Sequence, residues 1–387
     1  IVAERIAQDA DTRRDLRRRL AEEGVVVSKR TKTGEEQPQR RFAPFADFRE
    51  PLTKLAPHRL LAVLRGEKQG QLRVDLEIDD AAVLGALVER FLTAPGTEFE
   101  PPIRAAIEEA YHRHLRPTLE REVLNTLRAA AEEEAIRVCR ENAHNLLMSA
   151  PFGPQPVLGI EPEENGGAKV AVVNGDGQLV ATATLAPGLT EAGADTTRQV
   201  LTELIEHHGV KALALGRGAG DGGRDTCRFV SRFARNLESA KLPAISFNDS
   251  LASHYANSKT GRAAEPSLDT NVRAAAFNAR RLQDPLREAV KVDPRQFGVG
   301  HHPQDVNPRR LREQLTATVA ACVNEVGVDL NSATGDLLRY VAGIQPGTAD
   351  NILAYRTAHG GFKNRQELLN VDGIGPKIFE QCAGFLR

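Results

Sequence analysis

The chain has 387 residues, enough for two or three domains of ordinary size. A hydrophobic content of 41% suffices for packed cores, and because Trp is absent those cores must be rich in Leu, Val and Ala. There are 51 Lys and Arg residues against 52 Asp and Glu residues, so the overall charge does not demand a polyanionic partner, although local patches can still be basic.

The apolar runs and the cysteines of the sequence indicate the cellular compartment. No apolar run approaches the roughly 18 residues of a membrane-spanning helix, and no signal peptide is recognisable. The four cysteines form no CxxC pair, which argues against a structural zinc site and against a disulfide framework. We therefore expect a cytoplasmic protein without a membrane partner. These cysteines are Cys139, Cys227, Cys322 and Cys382.

Residues 1–150 form the first predicted region, which is mainly helical. The basic stretch "DTRRDLRRRLAEEG" predicts a helix that ends at Gly24, and "FADFREPLTKLAPHRLLAVLRGEKQGQLRVDLEID" predicts a helix followed by a short strand. A long helix is predicted after Pro117, because apolar residues recur there every three or four positions. This stripe consists of Leu119, Val123, Leu127, Ala131, Ala135 and Val138.

The pattern changes after the linker "APFGPQP", and residues 151–285 form the second predicted domain. "PVLGIEP", "AKVAVV" and "QLVATATL" predict three strands, with "NGDG" as the hairpin turn between the last two. A helix (196–208), the strand "VKALALG", a helix from about Arg224, the strand "PAISF" and a helix from about Asp249 follow. A three-stranded meander extended by two right-handed crossovers is typical of a ribonuclease-H-like domain.

The third predicted region, residues 286–387, is a helical linker followed by two helix-hairpin-helix units. Their turns are "GIQPGT" and "DGIGPK". In the second turn Gly373 and Gly375 allow close approach of the backbone, and Pro376 suits the first turn of a helix. The free N–H groups of such a turn favour an anion, and Lys377 adds a full positive charge. The first turn keeps Gly343 but has Gln345 in place of the second glycine. The predicted fold class is multidomain and mainly α, with one α/β ribonuclease-H-like domain.

Several long blocks resemble one family. "FREPLTKLAPHRLLAVLRG", "CVNEVGVDLNSAT" and "NILAYRTAHGGFKNRQELLNVDGIGPKIFEQCAGFLR" are similar to the bacterial Tex transcription accessory proteins. The resemblance covers nearly the whole chain. It implies a helical core, a YqgF-type ribonuclease-H-like domain and a helix-hairpin-helix pair. Family members usually also have an N-terminal helical region and a C-terminal OB-fold RNA-binding domain. Both are missing here and the chain begins with Ile1, so we expect a fragment of a longer protein.

The ribonuclease-H-like domain raises the question of catalysis. Nucleases of this fold hold two divalent metals with three or four carboxylates. Where the family resembles Asp-Pro-Gly-Leu-Arg-Thr-Gly, residues 161–167 read "EPEENGG", so the first acid is the longer Glu161. Asp249 is expected as the second acid, and either Asp284 or Asp305 as the third. We expect an inactive domain that needs no cofactor. The alternative is a nuclease or resolvase that uses these acids with Mg²⁺ or Mn²⁺.

The leading functional hypothesis is a nucleic-acid-binding transcription accessory factor that contacts RNA or DNA backbone with little sequence preference. RNA polymerase or other transcription factors are possible protein partners. A protein-interaction scaffold is the other alternative, because helix-hairpin-helix units also serve that role. The predicted nucleic-acid contacts are Gly343, Gly347, Lys363, Arg365, Gly373, Gly375 and Lys377 in the hairpins, and Arg280 and Arg281 in the basic segment before them.

Two further motifs carry weaker signals. The glycine-rich stretch "GRGAGDGGRD" lacks the Gly-Lys-Ser/Thr ending of a P-loop, so we expect a turn over the strand ends rather than a phosphate cradle. Adjacent histidines at 301 and 302, near Asp305, are expected to be exposed rather than to bind metal.

Overall fold

The computed structural model describes residues 1–36, 39–186, 191–218, 220–237, 242–247, 250–300 and 303–387. The chain divides into two compact units, one of residues 1–137 with 304–307 and one of residues 138–303 with 308–387. The predicted domain boundaries near 150 and 285 differ from this division, because the ribonuclease-H-like domain and the hairpins belong to the same compact unit.

The first unit contains a small antiparallel sheet surrounded by helices. Its three strands are β1 (Val25–Arg30), β2 (Asp47–Pro51) and β3 (Leu72–Glu77). They lie in the order β2-β1-β3, so the Val-rich β1 is central. Sequence analysis predicted only the last of these strands. Strand β2 alternates between exposed and half-buried residues and has no apolar run, so its sequence gives little sign of a strand. The elements are α1 (Val2–Gln8), α2 (Ala10–Glu23), β1 (Val25–Arg30), α3 (Lys32–Glu36), a 3₁₀ helix (Arg40–Phe45), β2 (Asp47–Pro51), α4 (Pro57–Lys68), β3 (Leu72–Glu77), α5 (Asp80–Phe91), α6 (Glu100–Glu109), a π-helical turn (Ala110–Leu115) and α7 (Arg116–Leu147).

The long helix α7 contributes residues to both units. Its predicted apolar stripe is buried at Leu119, Val123 and Ala131, but Val138 is 38% exposed. The buried positions near that point are Ile136 and Cys139. Because a helical turn takes 3.6 residues, positions chosen at a fixed spacing drift around the helix, and a stripe extrapolated over five turns loses its register.

The second unit contains the predicted ribonuclease-H-like sheet. Its strands are β4 (Val157–Pro162), β5 (Ala168–Val173), β6 (Leu179–Leu185), β7 (Ala212–Leu215) and β8 (Ala244–Ser246). Strands β4, β5 and β6 form an antiparallel meander, β7 pairs parallel with β4, and β8 pairs parallel with β7. The spatial strand order is β6-β5-β4-β7-β8, and it contains the meander and the two added strands that the sequence pattern predicted. The elements are β4 (Val157–Pro162), β5 (Ala168–Val173), β6 (Leu179–Leu185), α8 (Glu191–His208), β7 (Ala212–Leu215), α9 (Gly220–Asn236), β8 (Ala244–Ser246), α10 (Leu251–Asn257), α11 (Lys259–Ala264), α12 (Thr270–Gln283) and α13 (Pro285–Ala289).

Helix α12 packs directly on the central strand β4. The α-carbon of Gly159 faces the helix, and a Cβ built there would lie 1.9 Å from the backbone oxygen of Ala275 and 3.2 Å from the Cβ of Ala279. Small residues on both elements therefore allow the two backbones to approach closely. Nearly the whole of α12 is buried as a result, from Val272 to Gln283 apart from Arg280.

The remainder of the second unit is helical and holds the two hairpins. The backbone near the C-terminus pairs with the residues that follow α14, where the Arg387 N–H donates to the Val328 oxygen at 2.9 Å. None of the helices in the described ranges is both long and apolar enough to cross a membrane. The elements are a 3₁₀ turn (Pro294–Gln296), α14 (Pro308–Val326), α15 (Gly335–Leu338), α16 (Pro346–His359), a 3₁₀ helix (Arg365–Asn370), α17 (Pro376–Cys382) and a 3₁₀ turn (Ala383–Phe385). A further 3₁₀ turn, Pro303–Asp305, begins in this unit and ends in the segment 304–307 of the first unit.

The close contact at Gly159 yields the first prediction. Gly159→Ala should lower the free energy of unfolding by about 3 kcal/mol, because the added methyl group meets backbone that cannot move without displacing α12. Gly347→Ala is the matched control in the same unit, since a Cβ there has no atom within 4 Å and should change stability by less than about 0.5 kcal/mol. Urea unfolding followed by circular dichroism measures both. Equal stability of the two variants would contradict this account of the helix–strand contact.

Candidate functional site

The two hairpin turns have the same backbone geometry. The Ile344 N–H donates to the Val341 oxygen at 3.1 Å, and the Ile374 N–H donates to the Val371 oxygen at 3.1 Å. Gly343 and Gly373 both have φ of 83°, a conformation that favours glycine. The predicted tandem repeat is therefore present in the structure.

Each turn rests on the second helix of the other hairpin. A Cβ on Gly343 would lie 3.0 Å from the Cβ of Gln381, close to α17, and a Cβ on Gly373 would lie 3.6 Å from the hydroxyl of Thr348 on α16. Asn351 on α16 also donates from Nδ2 to the backbone oxygen of Asp372 at 2.9 Å. Backbone conformation accounts for Gly343 and Gly373, and at Gly343 the tight packing adds a second reason. Neither glycine requires a ligand to explain it.

Gly375 differs from these two glycines. It precedes α17 with φ −90° and ψ 175°, angles that any residue can adopt, and a Cβ there would have no atom of the described residues within 4 Å. Gln345 occupies the equivalent position before α16 with φ −89° and ψ 162°. Neither backbone strain nor packing against the part of the chain that the structure describes therefore requires glycine at position 375.

Both second helices begin with unpaired backbone donors. Pro346 and Pro376 open α16 and α17, and neither preceding residue caps its helix with a side chain. Within the described residues, the N–H groups of the next two positions in each helix have no acceptor, as is usual for a first turn. Lys377 is exposed beside the second set and forms no ion pair with any described residue. These N–H groups belong to Gly347 and Thr348 in the first helix and to Lys377 and Ile378 in the second.

Lys363 and Arg365 are exposed but lie away from the second turn. Both precede or open the 3₁₀ helix Arg365–Asn370, whereas the turn follows its other end, roughly 12 Å away at about 2 Å per residue. The structure thus separates these two predicted contacts from Lys377.

The predicted contacts Arg280 and Arg281 are engaged inside the domain. The Arg280 side chain is 15% exposed, pairs with Glu265 and donates from Nε to the Gly177 oxygen at 2.7 Å. Arg281 is 5% exposed and its guanidinium lies 4.4 Å from the ring centroid of Phe247. Both arginines of α12 therefore make contacts inside the domain, and their role in nucleic-acid binding stays a prediction.

Glu161 lies at the end of β4 and lines a cleft of about 550 Å³. Among the lining residues that the structure describes, one cation, Arg217, accompanies three carboxylates, so this part of the cleft is mixed in charge. The described residues contain no group of three or more His, Cys, Asp or Glu side chains arranged to hold a metal ion. The lining consists of Glu161, Pro162, Glu163, Glu164, Asn165, Arg217, Ser250, Ala252, Ser253, Asn271 and Asn278.

Two amides on α12 are bonded to these carboxylates. Asn278 donates from Nδ2 to Glu161 Oε2 at 3.1 Å, and Asn271 donates from Nδ2 to Glu163 Oε1 at 3.0 Å. Asn278 is only 1% exposed. Sequence reasoning missed both residues because it searched only for acids. The available signal was their spacing of about two helical turns, which puts them on one face.

The other predicted acids do not join Glu161 where the structure describes them. Asp284 is exposed, and its carboxylate accepts the backbone N–H of Arg287 at 3.0 Å to cap α13. Asp305 belongs to the first unit and pairs with Arg65 at 2.6 Å, with both side chains 8% exposed. Asp249 and the histidines at 301 and 302 lie outside the described residues.

The glycine-rich stretch after β7 packs against the loop that follows Glu161. A Cβ on Gly222 would lie 2.5 Å from the Glu164 backbone oxygen, and a Cβ on Gly223 would lie 3.3 Å from that of Glu163. Burial raises the pKa of the nearby Cys227 thiol, and the charge of Glu161 raises it further. Gly222 and Gly223 therefore allow close packing against this loop. The raised pKa keeps the Cys227 thiol protonated near neutral pH.

Gly216 gives room to the Glu161 carboxylate. A Cβ at position 216 would lie 1.8 Å from Glu161 Oε2. Gly216→Ala must therefore displace the carboxylate from Asn278, and we expect a loss of about 1.5–3 kcal/mol in unfolding free energy, the range for a hydrogen bond to a charged group. The measurement is a double-mutant cycle with Glu161→Ala, in which the alanine at 216 should cost almost nothing once the carboxylate is absent. Additive effects of the two substitutions would show that Glu161 does not occupy that space.

The sheet topology and the paired hairpins define a multidomain protein that joins a ribonuclease-H-like domain to a helix-hairpin-helix region. Comparison with family models agrees: residues 1–139 match the Tex central region-like family, residues 155–283 the Tex protein YqgF-like domain, and residues 323–387 the helix-hairpin-helix motif. The chain belongs to the Tex family.

Relatives match along the full length of the chain. Protein tex of Bordetella pertussis is 39% identical, with 50% of its length covered, and the transcriptional accessory protein Tex of Neisseria gonorrhoeae is 36% identical, with 51% covered. The S1 RNA-binding domain-containing protein 1 of Homo sapiens is 29% identical, with 40% covered. The chain therefore spans about half the length of these bacterial relatives.

Proposed function

We propose that this chain is a nucleic-acid-binding accessory factor of transcription and that its second hairpin turn contacts the phosphate backbone. The observation that carries the proposal is Gly375, whose missing side chain leaves open space beside unpaired N–H groups. A ligand that approaches the backbone from outside explains a glycine that the fold does not need. Phosphate suits these donors, and Lys377 supplies a mobile full charge next to them.

The names of relatives support the class of partner. One relative is called a transcriptional accessory protein and another is named for an S1 RNA-binding domain. Contacts to phosphate and sugar carry no base information, so the binding we propose is largely independent of sequence.

RNA polymerase is the first protein partner to test, by co-purification with the full-length protein.

The proposed turn contact is tested by substitutions that leave the fold intact. Gly375→Gln copies the residue that the first hairpin carries in the same backbone conformation, and it should weaken binding because the side chain fills the approach path. Lys377→Ala should weaken binding about equally for unrelated oligonucleotides and flatten the log–log salt dependence by roughly one unit. Fluorescence anisotropy at several salt concentrations measures both effects, and thermal melts establish that the variants are folded.

Lys363→Ala is the matched control for Lys377→Ala. Both lysines are exposed, but Lys363 lies away from the turn and should have a smaller effect on affinity. If Gly375→Gln and Lys377→Ala stay folded and bind like the parent, the second turn is not the contact. Loss of binding in Lys363→Ala alone would move the interface to the start of the 3₁₀ helix.

We further propose that the ribonuclease-H-like domain acts as a scaffold and is not a nuclease. What supports this is the hydrogen bonding of Glu161 and Glu163 to amides and the presence of Arg217 in the same cleft. Labelled single- and double-stranded DNA and RNA should stay intact after incubation with the protein and Mg²⁺ or Mn²⁺. Cleavage that requires metal and disappears in Glu161→Ala, purified in the same way, would establish the nuclease alternative.

A further inference from the structure

The cleft at the end of β4 contains a matched set of donors and acceptors. Asn271 and Asn278 lie on one face of α12, and each donates its amide to a different carboxylate of the loop that follows β4. The two distances, 3.0 Å and 3.1 Å, are those of ordinary hydrogen bonds. Arg217 adds a positive charge to the same lining.

A divalent metal site, which this fold implies, does not fit these residues. Metals in such sites are bound by carboxylate oxygens that lie close together. Here the side chains of α12 that meet Glu161 and Glu163 are amides, and each presents N–H groups to the oxygens that a metal would need. An amide turned the other way would place its oxygen against a carboxylate oxygen, where the two negative ends repel.

The Asn278 Oδ1 atom bears the cost of this orientation. It is buried and has no hydrogen-bond partner within the described residues. An unpaired buried acceptor destabilises the folded chain. The structure tolerates that cost while the amide nitrogen satisfies Glu161. Removal of the donor would leave the half-buried Glu161 carboxylate without this hydrogen bond, and charged groups have a larger desolvation penalty than neutral ones.

We propose that Asn271 and Asn278 take the place of a metal ion, and that Asn278 is a positioning residue that holds Glu161 in a metal-independent arrangement. This inference rests on the proposed scaffold role of the domain. Each of the two neutral amides donates a hydrogen bond to one carboxylate, and neither bond needs the positive charge of a metal ion. The end of the sheet therefore stays ordered whether or not divalent ions are present. The residues that determine metal dependence are then the amides of α12, and Asp at either position should restore a response to metal.

The experiment compares the parent chain with Asn278→Asp, Asn271→Asp and the double variant in EDTA and in MnCl₂. The parent should melt at the same temperature in both solutions. Asn278→Asp places two carboxylates within hydrogen-bonding distance, so it should melt lower in EDTA. Mn²⁺ at about 100 times its Kd should then raise its melting temperature by about 5 °C. Calorimetry should show stoichiometric Mn²⁺ binding by the variants and none by the parent.

Glu161→Ala in the parent and in Asn278→Asp is the matched control, since a response that depends on this site must disappear with that carboxylate. A parent chain whose melting temperature rises with Mn²⁺ in a manner lost in Glu161→Ala overturns the inference. If Asn278→Asp does not fold even with Mn²⁺, the test uses Asn271→Asp instead, because Asn271 is only half-buried. The absence of a Mn²⁺ response in that folded variant also overturns the inference. Metal-dependent cleavage by the parent would defeat the scaffold proposal, whereas an inert parent that binds Mn²⁺ at Glu161 would defeat this inference alone.

Discussion

The contact between helix α12 and strand β4 determines the arrangement of the larger unit. Because Gly159 has no side chain, the helix backbone lies against the strand, and a methyl group there would meet the Ala275 oxygen at 1.9 Å. This close approach brings short side chains of α12 within reach of the strand ends. Asn278 can reach Glu161 only because the helix is so near.

The same helix organises both ends of the sheet. Near the end of β4, its amides hold Glu161 and Glu163. Toward its C-terminus, Gln283 donates from Nε2 to the backbone oxygens of Gln155 and Asn174, each at 2.7 Å, and Arg280 donates to the Gly177 oxygen. These bonds tie the hairpin between β5 and β6 to the linker before β4. The polar residues of α12 thus serve the interior of the domain, and little of their charge reaches the surface.

The fold was largely predictable from the sequence because its strands are apolar and its turns carry strong local signals. The order of the β4–β8 sheet follows from alternation and from turn residues such as Gly177. The site was less predictable, because side-chain partners depend on tertiary distance. The net charge of the segment suggested that Arg280 and Arg281 lie on a binding surface. In the structure Arg280 forms an ion pair with Glu265, and the Arg281 guanidinium lies over the ring of Phe247. Neither contact is visible in the local sequence pattern. A search for acids likewise could not identify Asn271 and Asn278, whose role becomes visible only when α12 lies on β4.

Three glycines of the second unit show how structure separates packing from function. Gly159 is required by a neighbouring backbone, and Gly373 by a positive φ of 83°. Gly375 is required by neither, since Gln345 adopts nearly the same angles in the repeat. The two hairpins therefore have one backbone geometry but unequal access. The first hairpin carries the Gln345 side chain at this position, whereas the second has none, and a Cβ there would meet no atom of the described residues within 4 Å. A backbone-directed ligand would meet the two turns differently, so the repeat supports the fold symmetrically while its outer surface is asymmetric.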